Sequence, residues 1–189
     1  GQVCDIDAEM MRLTLFIVGK TLFDADLKHD SDKIAVALGN MLYDIIDEAR
    51  SLVNLPDWIP TPLRMRKQRT IHMLEEVIMP IIEERRTSAE DRGDLLSMLL
   101  LAQDDDGIGM TDKQIRDEAL TIVLAGHETT ANTLTWTLYL LSQNPDVEAK
   151  LQQEVDSVLA GRIPTLDDLK QLPYTEMVLK EAMRLYPPA

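Results

Sequence analysis

Residues 125–130, with the sequence Ala-Gly-His-Glu-Thr-Thr, place an acid beside an alcohol within an otherwise apolar stretch. A carboxyl group held at Glu128 among apolar neighbours would have a raised pKa, towards the range in which a general acid is useful. Thr129 can bond back to the carbonyl of Ala125, and Gly126 leaves bare backbone that another body can approach. These features predict a site where a flat or small molecule binds and protons are passed. A structural kink filled by internal hydrogen bonds is the other interpretation.

This polar segment lies in the middle of one long predicted helix, from about residue 111 to residue 143. Thr111 and Gln114 form a capping-box pattern at its start, and Met110 can pack on Ile115. At a rise of 1.5 Å per residue the helix would be roughly 45–50 Å long, so we expect it to cross the middle of a domain. Apolar residues dominate both flanks of the polar segment: Leu120, Ile122, Val123 and Leu124 before it, and Leu134, Trp136, Leu138, Leu140 and Leu141 after it.

The remaining segments also carry a helical period, and no stretch alternates like a strand, so the predicted fold class is mainly α. We interpret residues 1–189 as a single partial domain, without repeats or a linker. An acidic connection is expected at 24–33 and a proline-rich bridge at 55–63, and Pro80 should kink or divide the third helix. Further helices are predicted at about 8–22, 33–50, after 63 to 86, 94–102, 145–160 and 173–186, with a short turn or helix at 165–170.

The composition limits the partners of the chain. It has 33 acidic and 19 basic residues and a net charge of −14, which argues against nucleic acid or an anionic membrane as the main partner. No run of about 18 apolar residues occurs, so no membrane span is predicted. The acidic character favours the cytoplasm of a bacterium, although an anchor before residue 1 stays possible. Both ends of the chain are expected to be the edges of a fragment.

A single cysteine, Cys4, excludes an internal disulfide and a multi-cysteine metal site, and it is predicted to be a buried or partly buried thiol. The acidic run 104–107 does not fit a calcium loop, because the first and last ligand positions would be Ala102 and Lys113, so a surface loop is expected. His127 begins a zinc-protease pattern, but Ala131 stands where the second histidine would be.

Two charged clusters have ordinary structural explanations. Glu181 and Arg184 lie three residues apart on the last predicted helix, at the edge of its apolar face, and we interpret them as an internal strut and not as a catalytic pair. The third helix opens with four basic residues, which can dock an acidic partner but more simply form a solvated face: Arg64, Arg66, Lys67 and Arg69.

The segment 125–130 and the last predicted helix, with Glu181 and Arg184, together resemble one protein family. Residues 125–130 are similar to the oxygen-activation segment of the haem-thiolate monooxygenases, the cytochrome P-450 family. Residues 181–188, Glu-Ala-Met-Arg-Leu-Tyr-Pro-Pro, resemble its Glu-x-x-Arg helix and the turn that follows, and the Asn144-Pro145 helix start between them also matches. The resemblance covers the whole chain, as the middle helices (E through K) of a larger domain.

The resemblance implies a haem b cofactor with a thiolate ligand. Ala125, Gly126, Thr129 and Thr130 would contact the haem, Thr129 would hold water or dioxygen, and Glu128 would help to relay protons to it. Glu181 and Arg184 would brace the core that supports the cysteine loop. The bridge at 55–63 would form part of a lid over a hydrophobic small-molecule substrate. The implied reaction inserts one oxygen atom from dioxygen into a C–H bond, with electrons from a ferredoxin or a flavoprotein reductase.

The chain also departs from the family pattern. The axial cysteine belongs to a loop after the Glu-x-x-Arg helix, outside this sequence, and Cys4 lies in the wrong place for it. We therefore expect no metal ligand in the chain and no monooxygenase activity from residues 1–189 alone. Two other classes stay open at this point: a non-catalytic helical binding module, and a terpenoid cyclase, whose acidic metal motif is absent here.

Overall fold

A computed structural model describes residues 3–24, 31–50, 59, 61–88 and 90–189 of the chain. The part described is mainly α, as predicted, and its β-structure is a single isolated bridge between Gln103 and Gly109. The elements, in chain order, are α1 (Ile6–Phe23), α2 (Ser31–Arg50), α3 (Pro62–Ser88), α4 (Leu95–Leu101), α5 (Asp112–Gln143), α6 (Pro145–Leu159), a 3-10 helix (Leu166–Gln171) and α7 (Pro173–Leu185).

The predicted long helix is present as α5, with 32 residues. Its capping box is also present: the Thr111 N–H donates to Oε1 of Gln114 at 2.9 Å, and the Gln114 N–H donates to Oγ1 of Thr111 at 3.3 Å. Ile115 is fully buried, and Met110 packs against the same core. These contacts fix where the helix begins, because they satisfy backbone donors that its first turn leaves without partners.

The chain forms two compact units, and the boundaries between them fall inside α1 and α5. The core unit is Arg12–His127, and the terminal unit is Gly1–Met11 with Glu128–Ala189. The prediction of a single partial domain stays a prediction. The hydrophobic core of the core unit contains Leu15, Val18, Phe23, Ile34, Ala37, Leu38, Leu74, Ile78, Ile82, Leu96, Ile115, Ala119, Leu120 and Val123.

A buried ion pair joins α3 to the start of α4. The two terminal nitrogens of Arg85, Nη1 and Nη2, each donate to the Asp94 carboxylate at 2.8 Å. Nη1 also donates to the hydroxyl of Ser97 at 2.8 Å, and Nη2 to the carbonyl of Phe23 at 3.0 Å. Asp94 also caps α4 by accepting the Ser97 N–H at 2.9 Å. The pair is almost fully hydrogen-bonded, which is the condition for placing charges inside a protein.

The basic start of α3 is not simply a solvated face. Arg66 binds the buried carboxylate of Asp44 and also contacts Asp47 at 2.8 Å, while Lys67 contacts Glu48 at 2.7 Å. The acidic partner is therefore α2 of the same chain. Sequence periodicity cannot show this, because the partners are about twenty residues apart and meet only when the two helices pack together.

Pro80 does not divide α3, which runs without interruption from Pro62 to Ser88. Of the two predicted effects, division is wrong, and a kink stays a prediction. Proline removes one helical hydrogen bond, but Ile78 and Ile82 on either side of it are buried in the core, and this packing holds the helix together. Most of the predicted bridge at 55–63 lies outside the described residues, and α3 begins inside its last part.

The acidic loop 103–109 is exposed throughout, as expected for a surface loop. The Asp104 carboxylate accepts the N–H groups of Asp106 and Ile108 at 3.1 and 2.8 Å, so the acid stabilises the turn itself. Within the described ranges, no helix is both long enough and apolar enough to cross a bilayer.

Candidate functional site

The first half of the 125–130 segment belongs to the core unit. Ala125 is exposed although it lies in mid-helix, Gly126 is half-buried, and His127 is buried with 3% exposure. A Cβ added to Gly126 would meet Cγ2 of Val18 on α1 at 3.7 Å, an ordinary van der Waals contact. In this unit it is therefore α1 that lies beside the bare backbone, and a role for Gly126 in cofactor binding stays a prediction.

The second half of the segment belongs to the terminal unit. Glu128 and Thr129 are both half-buried, and Thr130 is exposed. The acid and the alcohol are thus neither in bulk solvent nor sealed among packed neighbours. Such an intermediate position lets a side chain exchange protons with water or a ligand while its charge is still poorly solvated.

Glu128 has the electrostatic character expected of a general acid. Burial raises the pKa of its carboxyl above the ordinary glutamate value, and the negative charge of Asp7 on α1 raises it further. The predicted direction is confirmed, and the predicted cause, loss of solvation, is the larger one. Asp7 was not foreseen, because an acid in the first turn of a helix is a common helix-start feature and carries no signal of a distant partner.

Threonine hydroxyls bond back to the backbone along α5. In the terminal unit, Thr133 donates to the carbonyl of Thr129 at 2.8 Å, and Thr137 donates to the carbonyl of Thr133 at 2.7 Å. The predicted bond from Thr129 to the carbonyl of Ala125 stays a prediction. Side-chain bonds of this kind compete with the helical ladder and tend to bend a helix, so this part of α5 is suited to departing from regular geometry.

Glu181 and Arg184 form a two-contact ion pair on α7, with both N···O distances at 2.7 Å. The hydrogen bonds from Arg184 lower the pKa of Glu181. The expectation that this pair lies at the edge of the buried face is not what the structure shows, because the two side chains are 55% and 66% exposed. The face of α7 that packs inward centres on Ala182, one residue on from Glu181. The role of the pair as a strut stays a prediction.

An apolar groove of about 380 Å³ lies in the terminal unit between the second half of α5, α6 and α7. Near it, the ring of Trp136 stacks on Tyr186 at 4.1 Å and meets Tyr139 edge to face at 5.7 Å. The aromatic contact fastens the end of α7 to α5. The groove is lined by Thr137, Leu140, Leu141, Asn144, Val147, Tyr174, Met177, Val178, Glu181, Ala182 and Leu185.

Cys4 is exposed, so the prediction of a buried or partly buried thiol is wrong. It precedes α1, in a short segment without helical structure, where no second layer of side chains covers it in the part of the chain that is described.

The arrangement of the helices is similar to part of a protein of known structure. Over 97% of the chain it superposes on the crystal structure of the cytochrome P450DA heme domain, with a TM-score of 0.81 and 31% sequence identity, covering 40% of that protein. The sequence profile of the family described as Cytochrome P450 matches residues 1–189. The chain belongs to the cytochrome P450 family.

Relatives of known function give the same result. The chain is similar to pentalenene oxygenase of Streptomyces avermitilis, with 35% identity over all of the chain and 42% of the relative. It is also similar to cyclooctat-9-en-7-ol 5-monooxygenase of Streptomyces melanosporofaciens, with 36% identity over all of the chain and 42% of the relative. The chain thus spans about two fifths of the length of these two relatives.

Proposed function

We propose that the protein containing this chain is a haem-thiolate monooxygenase, which inserts one atom of dioxygen into a C–H bond of a hydrophobic small molecule. The observation that carries the proposal is the position of Glu128, a half-buried acid with a raised pKa next to a half-buried alcohol, in the middle of the longest helix of the chain. Acids whose pKa is raised by burial are found preferentially at sites of proton transfer, which supports this role for Glu128.

The residues present fit a haem on this part of α5. Ala125 and Thr129 have small side chains, and Ala125 is left exposed in mid-helix, so a flat group can approach the helix there. We propose that these two residues lie against the ring, with Gly126 and Thr130 beside them. When bound, haem supplies the iron at which dioxygen is reduced. We propose that the thiolate that would hold the iron comes from a cysteine other than the exposed Cys4.

Glu128 and Thr129 would take part in proton transfer. Because burial and Asp7 raise the pKa of Glu128, its carboxyl keeps a proton at a higher pH than an ordinary glutamate would. A neutral carboxyl can donate towards the hydroxyl of Thr129, which holds a water molecule and passes the proton on. Glu181 and Arg184 would brace the core that supports the cysteine loop, and their two-contact carboxylate–guanidinium pair orients both side chains.

Membership of the family implies a substrate, dioxygen and a redox partner. We propose that the electrons come from a ferredoxin or a flavoprotein reductase. The two Streptomyces relatives are named for pentalenene and cyclooctat-9-en-7-ol, so apolar cyclic molecules of this kind are the first substrates to test. The net charge of −14 argues against a nucleic-acid partner. A bacterial cytoplasmic location stays a prediction from the composition.

The test uses the complete protein loaded with haem. Reduction followed by carbon monoxide should give the Soret band characteristic of thiolate ligation. With a reductase, a ferredoxin, pentalenene and ¹⁸O-labelled dioxygen, the product should gain one labelled oxygen atom. A complete protein that binds haem without the thiolate-type band would overturn the proposal.

A further inference from the structure

Asp7 lies against the face of α5 that carries Glu128, and all the residues concerned belong to the terminal unit. The hydroxyl of Thr135 donates to Oδ1 of Asp7 at 3.4 Å. Thr135 follows Glu128 by seven residues, which places both on the same side of the helix, about two turns apart. The contact therefore places the first turn of α1 on the side of α5 that carries Glu128, about two turns from the acid.

The two carboxyl groups lie in opposite surroundings. Asp7 is exposed and occupies the first turn of α1, where the helix dipole favours a negative charge. Glu128 is half-buried in the middle of α5, far from either end of the helix. Of the two, Glu128 has the surroundings that favour a protonated carboxyl, because its charge would be poorly solvated.

The electrostatic interaction between the two carboxyl groups also favours a neutral Glu128. Burial is the larger cause of the raised pKa of Glu128, and the charge of Asp7 is the second. Asp7 is on α1, so a charge from a different helix contributes to the raised pKa of Glu128. A nearby negative charge disfavours a second one, and the effect is larger when the second group is poorly solvated.

We propose that Asp7 is a positioning residue that keeps Glu128 in its neutral, proton-carrying form, and that Thr135 anchors the Asp7 carboxylate for this purpose. The inference rests on the function proposed above, because it gives Glu128 a proton to deliver. The proton comes from water, and the fixed charge of Asp7 favours its return to Glu128 after each transfer. Asp7 itself neither touches the substrate nor donates the proton.

The experiment measures the ionisation of Glu128 in the complete, haem-loaded ferric protein. The carbonyl stretch of the neutral carboxyl is followed by infrared difference spectroscopy against pH, and Glu128→Gln identifies the band. In Asp7→Asn the midpoint should move to lower pH, and Asp7→Glu should restore it towards the wild-type value. Asp5→Asn is the matched control: it removes the same charge two residues earlier, from the residue that caps α1 through the Ala8 N–H. It should leave the midpoint unchanged.

An unchanged or raised midpoint in Asp7→Asn, or an equal shift in Asp5→Asn, would overturn the inference. The wild-type protein gives an independent reading if the variant folds poorly. Because Asp7 is exposed, added salt should screen its charge and lower the wild-type midpoint. A wild-type midpoint that does not change with added salt would contradict the proposed role of Asp7.

A turnover measurement distinguishes failure of this inference from failure of the proposed function. At a pH above the midpoint, lowering the midpoint by one pH unit lowers the fraction of neutral Glu128 about tenfold. Product formed per electron pair should fall with it in Asp7→Asn. A midpoint that moves while product formation stays constant supports the role of Asp7 and contradicts the proton role of Glu128.

Discussion

The carboxylate of Glu154 on α6 accepts two hydrogen bonds from Thr175 on α7, one from its backbone N–H and one from its hydroxyl, both at 2.8 Å. It also accepts the N–H of Tyr174 at 2.7 Å. The residue at the helix start, Leu172, has no side-chain acceptor, so an acid from the neighbouring helix supplies the cap. This contact fixes the helix that carries Glu181 and Arg184.

Glu154 should make folding stability depend on pH. Burial opposes its ionisation, but the hydrogen bonds from Tyr174 and Thr175 outweigh burial and lower its pKa in the folded protein. Its stabilising effect is therefore fully present above the pKa of the unfolded chain, and it is lost as pH falls through the folded value. Glu154→Gln should lower the urea midpoint at neutral pH, and the difference from wild type should vanish in acid. Asp156→Asn, on the exposed side of the same helix, is the control and should show no such pattern.

The buried pair of Arg85 and Asp94 should be costly to break. Asp94→Asn keeps a side-chain cap for α4 but leaves the guanidinium buried without its counter-charge, and we expect a loss of about 3–5 kcal/mol in the free energy of unfolding. Urea denaturation measures it. Asp105→Asn, in the exposed loop, should change stability by less than about 0.5 kcal/mol.

In a double-mutant cycle, Arg85→Met with Asp94→Asn should cost less than the sum of the two single changes, because the second change removes the charge that the first leaves unpaired. Additive losses would show that the two groups do not stabilise the protein as a pair.

Gly126→Ala should fold normally. The new Cβ would meet Val18 at an ordinary contact distance, and alanine gains about 1 kcal/mol over glycine in a helix interior. Thermal unfolding of the haem-loaded protein should therefore show an unchanged or higher midpoint. If the Soret band shifts in this variant while the fold is stable, haem does approach the backbone at Gly126, as the family resemblance implies.

Thr129→Ala should uncouple electron transfer from product formation. Without its hydroxyl, no side chain at this position can hold the water that passes protons, and product per electron pair should fall by about 10²-fold, the lower end of the contribution of a positioned proton donor. Thr121→Ala is a matched control, since Thr121 is exposed on the same helix and bonds back to the carbonyl of Asp117 at 2.8 Å. Equal losses in the two variants would mean that the change acts through the helix and not through proton transfer.

Cys4→Ser should leave the thiolate-type Soret band of the complete protein unchanged, because the thiol is exposed and lies outside the segment 125–130. In the same way, residues 1–189 alone, mixed with haemin, reduced and exposed to carbon monoxide, should not produce that band. The band in residues 1–189 with Cys4 present would contradict the second expectation. Its loss from the complete protein in Cys4→Ser would contradict the first.

The local pattern of the sequence determined the helices and their starts. The apolar period and the pair Thr111 and Gln114 predicted α5 to within one residue of its beginning, because a capping box involves neighbours three residues apart. The raised pKa of Glu128 was also predicted, since an acid in an apolar helix loses solvation wherever that helix packs. The sequence left open whether Pro80 kinks or divides α3, and the helix is continuous because burial of Ile78 and Ile82 compensates for the missing bond.

Only the tertiary structure decided which charges meet. Arg66 with Asp44, Glu154 with Thr175, and Asp7 with the face of Glu128 are contacts between different helices, separated by about 20 to 120 residues along the chain. Glu181 and Arg184 met as neighbours on one helix, but their exposure depended on what packs against α7. Spacing along a helix fixes which residues share a face. Which charges lie near that face, and how far solvent reaches it, depend on how the helices pack.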